Sequence, residues 1–149
     1  MSPIYKTEDG ARAIHERYRE ILALWPVPNR QFTVPTRAGE TFVIACGAEG
    51  APPVFLFHGS ASTSFMWTME AAAFAENFRV YAIDLIGEPG LSAPTRYKPG
   101  SEEHALWLDD VFKALSVTKA SLVGVSLGGW LALDYAIRRT KHVTALALI

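Results

Sequence analysis

The chain predicts an α/β fold, a mostly parallel sheet with helices on both faces, preceded by an amphipathic helix. Three observations carry that prediction. Short apolar runs recur at residues 54–57, 80–83, 120–123 and 143–149, and they are continuous rather than alternating, as strands covered on both faces require. Helix-like stretches at 65–76, 101–115 and 126–139 separate them, and strands alternating with helices need right-handed crossovers between parallel neighbours. The chain is long and apolar enough for one core, with 149 residues, 50% hydrophobic and 19% charged.

Each element has its own local signal. From Glu8 to Trp25 the apolar residues Ala11, Ile14, Tyr18, Ile21, Leu22 and Trp25 recur at three- and four-residue steps with charged residues between them, which is the pattern of an amphipathic helix. Pro26 and Pro28 end it, because proline cannot continue the backbone ladder. Residues 31–35 and 40–46 read as two short strands joined by the turn-forming Thr36-Arg37-Ala38-Gly39, an antiparallel hairpin. A loop over 47–53 leads into the first of the continuous apolar runs. No internal repeat, low-complexity tract or linker to a second domain interrupts the alternation of strands and helices from there to Ile149.

Fourteen basic residues against fifteen acidic give a net charge of −1, so nothing attracts the whole chain to nucleic acid or an anionic membrane. The first residues lack an apolar signal-like run, and no stretch is apolar enough to span a bilayer. Cys46 is the one cysteine, which leaves no internal disulfide and no cysteine-rich metal site. A cytoplasmic protein without metal or cofactor is the expectation.

Chemistry in such sheets gathers beyond the carboxyl ends of the strands. Val123-Gly124-Val125-Ser126-Leu127-Gly128-Gly129 has the G-x-S-x-G pattern between a strand and a helix. It is a turn so tight that small neighbours must flank the serine. Ser126 is the candidate nucleophile; a glycine-rich turn with an incidental serine is the plainer alternative. After residues 54–57 comes His58-Gly59-Ser60-Ala61, a loop able to present a backbone N–H to a developing oxyanion. Ser60 is the expected donor, Ala61 the fallback, and the N–H of Leu127 the second donor. His58 is read as a structural histidine bracing that loop. Asp84, at the end of the next run, heads Asp84-Leu85-Ile86-Gly87-Glu88-Pro89-Gly90-Leu91-Ser92; capping its own turn is its expected role, with a catalytic acid the sharper alternative and Glu88 a weaker candidate for it.

Together and in this order, the three motifs closely resemble those of the α/β-hydrolase superfamily, in particular bacterial esterase-like members with a helical N-terminal extension. His58-Gly59 resembles that family's oxyanion motif, Trp67 the tryptophan after it, 84–92 its D-x-x-G turn and Gly124 to Gly128 its elbow. One departure is visible: the turn usually reads D-x-x-G-x-G-x-S, and here Glu88-Pro89 makes the step to Gly90 one residue longer. The resemblance implies a serine esterase-like hydrolase with Ser126 as nucleophile, Leu127 and Ser60 as oxyanion donors, and a small acyl substrate.

The same family continues for about 100 further residues, through a cap, an acid and a late histidine. Residues 1–149 are therefore expected to be one partial domain, a helical extension over 1–30 and a core sheet over 31–149. None of the four histidines follows Ser126 at a strand end; His142, within Arg138-Arg139-Thr140-Lys141-His142, is expected on a solvated helix end. A second polypeptide or C-terminal fragment is the expected source of the missing base and of cover for the apolar strand at 145–149. The competing readings are a non-catalytic scaffold on the same fold and an inactive truncated product.

Overall fold

The computed structural model describes residues 4–149. Thr7 opens the first helix, α1 (Glu8–Leu22), by accepting the Gly10 N–H at 3.0 Å, with Glu8 and Asp9 in the first turn where the helix dipole favours negative charge. The hairpin follows as β1 (Asn29–Thr36) and β2 (Gly39–Cys46), paired antiparallel down to Thr36 opposite Gly39. Gly39, at φ +105°, supplies the backbone conformation that closes the turn. The alternation continues with β3 (Pro53–Phe57), a 3₁₀ turn (Ser64–Trp67) leading into α2 (Thr68–Ala75), β4 (Arg79–Ile83), α3 (Glu103–Ala114), β5 (Ala120–Gly124), α4 (Leu127–Arg138) and β6 (Val143–Leu148). Among the described residues, no helix is long and apolar enough to cross a membrane.

The six strands form one sheet in the order β1-β2-β4-β3-β5-β6, antiparallel in its first two pairings and parallel in the rest. Two buried layers cover its faces. On one face Phe55, Phe57 and Leu122 pack with Trp107 and Leu108 of α3 and Tyr135 of α4; on the other Val54, Leu56 and Ile44 pack with Tyr18 and Leu22 of α1 and Trp67 beside α2. Adjacent residues of β3 serve opposite layers, which is why that strand is apolar throughout. Each such fully buried side chain stabilises the fold by about 1.5–3 kcal/mol.

The topology also fixes where a site can form. From β3 the chain moves to β4 on one side, then α3 carries it back across to β5 on β3's other side. The strand order reverses at β3 and opens a crevice beyond the carboxyl ends of β3 and β5. The turn after β3 and the turn after β5 meet there.

Candidate active site

Ser126 joins β5 to α4 with φ 50° and ψ −113°, a strained conformation for a residue carrying a Cβ. Its neighbours explain how the turn is tolerated. A Cβ on Gly124 would lie 2.3 Å from the Gly128 carbonyl oxygen, and one on Gly128 would lie 2.4 Å from the Phe57 oxygen and 2.6 Å from that of His58. Helix α4 therefore starts in direct backbone contact with the end of β3. Hydrogen bonds clamp the turn from both sides: Val125 N–H donates to Phe57 O at 3.1 Å, Ser126 N–H to Ile149 O at 2.9 Å, and Ile149 N–H to Gly124 O at 3.0 Å. Ser126 is exposed at the head of the helix.

The loop after β3 runs beside it, and a Cβ on Gly59 would stand 3.8 Å from that of Ser126. Ser60 is exposed. No hydrogen bond among the described residues uses the N–H of Ser60 or of Leu127, so both donors are open next to the serine. Ala61, the fallback donor, is not open: its N–H donates to Oε2 of Glu88 at 2.5 Å. Its φ of +55° is a second strained backbone position at the same crevice.

His58 is buried, and both ring nitrogens are engaged. Leu85 N–H donates to Nε2 at 2.9 Å, so the ring proton sits on Nδ1, which donates to the Gly59 carbonyl at 2.8 Å. Burial holds its pKa below the ordinary histidine range, opposed by the bond to Gly59 and the charges of Asp84 and Glu88. This ring braces the loop.

Asp84 is fully buried at the end of β4. Its Oδ2 accepts the Leu91 N–H at 2.9 Å and so caps the following turn, while Oδ1 accepts the Tyr18 hydroxyl at 2.8 Å and the Ser64 N–H at 2.9 Å. No histidine bonds to it, and its contacts join three elements. Gly90, at φ +138°, has to be glycine, because a Cβ would fall 2.5 Å from Oδ2.

Sequence patterning missed two of these partners. Tyr18 reads as part of an apolar stripe, yet a buried tyrosine hydroxyl needs a hydrogen-bond partner, and that requirement was the available signal. Glu88 belongs to the lengthened D-x-x-G turn, and only the folded turn brings it to Ala61.

Among the described residues, none of the remaining histidines hydrogen-bonds Ser126. His15 bonds Tyr5, His104 stacks edge-on against Tyr97 and Trp130, and His142 Nδ1 bonds the Tyr135 hydroxyl at 2.9 Å. His142 lies just past the end of α4 with 42% of its side chain exposed, in keeping with the expected solvated helix end. Its ring is half-buried against Phe112 and Tyr135, because a 3₁₀ turn (Thr140–His142) folds the basic segment back onto α4. Among the described residues, no three His, Cys, Asp or Glu side chains group as a metal site requires.

Residues 52–149 match the model of the alpha/beta hydrolase fold family. Two relatives in Bacillus subtilis (strain 168) are similar over nearly the whole chain. They are an uncharacterized carboxylesterase, nap, 36% identical over 99% of this chain and 49% of that protein, and the carboxylesterase YbfK, 37% identical over 95% of this chain and 48% of that protein. The crystal structure of the B. subtilis carboxylesterase CesB (YbfK) superposes with a TM-score of 0.87 at 34% identity, over 93% of this chain and 49% of that one. That of the B. subtilis naproxen esterase superposes at 0.86 and 36% identity, over 95% of this chain and 50% of that one. The chain thus spans about half the length of the relatives it matches.

Proposed function

The chain belongs to the α/β-hydrolase fold family, and from that premise we propose that the complete protein hydrolyses carboxylic esters through an acyl-enzyme on Ser126. The observation that carries this reading is the exposed, strained serine at the head of α4 with two unused backbone N–H groups, of Leu127 and Ser60, beside it. The two similar B. subtilis proteins described as carboxylesterases support the substrate class. In the proposed reaction Ser126 Oγ attacks the ester carbonyl carbon while a histidine takes its proton. The two N–H groups hold the tetrahedral oxyanion, each contributing a few kcal/mol. The histidine then protonates the departing alkoxide, and water repeats the cycle on the acyl-enzyme.

None of the four histidines in these 149 residues bonds Ser126. The base and its orienting acid are therefore proposed to come from a C-terminal segment or a second polypeptide, which would also cover β6, in a cytoplasmic protein. Asp84 is not assigned the acid's role, since its oxygens already hold Tyr18, Ser64 and Leu91. A fluorophosphonate probe tests the mechanism on the full-length protein. Labelling at Ser126, abolished in Ser126→Ala together with a loss of esterase turnover of about 10⁴-fold or more, is the expected result. Absence of labelling in the wild type would favour a non-catalytic scaffold.

A further inference from the structure

We propose that Glu88 is a positioning residue for the oxyanion loop, an inference that rests on the proposed roles of Ser126 and Ser60. Two consecutive peptide planes in that loop are pinned from outside. The Gly59–Ser60 peptide carries the Ser60 N–H, and its carbonyl, Gly59 O, accepts from His58 Nδ1 at 2.8 Å. Because a peptide is planar and trans, fixing that carbonyl fixes the opposite direction for the N–H of Ser60. The next plane, Ser60–Ala61, is held by Glu88, whose Oε2 accepts the Ala61 N–H at 2.5 Å and lies 3.5 Å from Ser60 Oγ.

Both anchors trace to one segment. His58 Nε2 is fixed by Leu85 N–H, and Glu88 lies three residues further along the same turn. That turn is itself rigid: Gly87, at φ +72°, has its N–H on Ala93 O at 3.0 Å and its carbonyl on Arg96 Nε at 3.0 Å, while Asp84 caps Leu91. The loop it supports needs the help, since Ala61 sits at φ +55°, where a residue with a Cβ relaxes unless held. An ionised carboxylate receiving the backbone N–H is a strong local acceptor for that purpose. Without it, the Ser60–Ala61 peptide can rotate. The Ser60 backbone, which carries the donor N–H, then keeps only the anchor at Gly59 O. The lengthening of the turn by Glu88-Pro89 is accordingly a functional feature, because it delivers the carboxylate to the loop.

The test uses the full-length protein, with p-nitrophenyl butyrate hydrolysis and amide hydrogen exchange at Ala61 measured on the same samples. Glu88→Ala should lower kcat about tenfold with KM within about twofold, because an oxyanion donor acts on the transition state and not on substrate binding. Exchange at Ala61 should rise about tenfold as its acceptor is lost. Glu88→Gln, whose amide oxygen can accept the same N–H, should keep kcat within about threefold and serves as the folded control if the alanine variant is poorly soluble. Unchanged Ala61 exchange in Glu88→Ala, faster exchange with an unaltered kcat, or a loss in kcat as large in Glu88→Gln as in Glu88→Ala would each overturn the proposal. Should the wild type hydrolyse no ester while Ser126 stays unlabelled, the esterase reading falls, and Ala61 exchange still decides whether Glu88 holds the loop.

Discussion

At Gly128 a single hydrogen atom in place of a methyl group decides whether the serine can be presented at all. Real Cβ atoms essentially never come within 3.0 Å of another heavy atom, and the distances there are 2.4 and 2.6 Å to the oxygens of Phe57 and His58. Neither oxygen can retreat, because both belong to the backbone at the end of β3. Gly128→Ala is therefore expected to destabilise the protein by about 3 kcal/mol or more, as overpacked or strained core positions do, measured by urea unfolding. A cost under about 0.5 kcal/mol would mean that α4 does not seat against β3 as described. Ser126 and Ala61 carry the opposite signature, strained conformations with a side chain present, and both face the crevice. A third such residue among those described, Ser116 at φ 55°, lies between α3 and the amino end of β5, so strain is not confined to the crevice; at Ser126 it coincides with an exposed side chain at the head of α4.

Among the elements, α1 is the one whose attachment patterning alone would describe as simple apolar packing. Its Tyr18 hydroxyl reaches Asp84 at 2.8 Å, and the same carboxylate holds Ser64 at the start of the 3₁₀ turn that follows the loop after β3. Burial first, and the neighbouring Asp84 charge and hydrogen bond second, push the Tyr18 hydroxyl far above the ordinary tyrosine pKa. Removing it in Tyr18→Phe leaves a buried carboxylate short of one donor, and an expected loss of about 1.5–3 kcal/mol in chemical unfolding. The pH dependence has a definite sign. Above pH ~10 an unfolded tyrosine releases its proton while Tyr18 in the fold keeps it, so the unfolded state binds fewer protons and stability falls as pH rises. The wild type should therefore lose stability above pH ~10 at up to about 1.4 kcal/mol per pH unit from this residue, with a shallower slope in Tyr18→Phe. Equal slopes in the two proteins would contradict the buried bond. Tyr135, raised likewise by burial and Asp109, contributes to the remaining slope, as do Tyr97 and Cys46, which burial also pushes up.

At the scale of the whole molecule the two sides of the sheet end differently. β1, the polar outer strand of the hairpin, forms one edge, whereas the other edge is β6, an apolar strand with nearly all its residues exposed. Together with α4 it presents Leu133, Ile137, Leu146 and Leu148, the second of them 71% exposed. An apolar strand with an unpaired edge recruits a partner or self-associates. The isolated 149-residue chain should accordingly elute from gel filtration well above its 16.3 kDa mass, and Ile137→Lys with Leu148→Lys should reduce that association. A soluble, well-folded monomer of the unaltered chain would count against a covering segment or second polypeptide.

The periodicities of the amino-acid sequence already determine the α/β class, the hairpin, each helix to within a few residues and the turn that places Ser126 at the head of α4, because those signals are local: apolar spacing, turn residues and closely spaced glycines. The hairpin strands run slightly longer than their apolar patterns, since backbone pairing extends past the last apolar residue. The partners of Asp84, the engaged nitrogens of His58 and the reach of Glu88 to Ala61 join residues separated by 66, 27 and 27 positions. Only the reversal of strand order at β3 brings those segments to one crevice. Side-chain hydrogen bonds between distant segments leave no periodic trace, so tertiary structure alone decided which polar groups brace the loop and which stay open beside the serine.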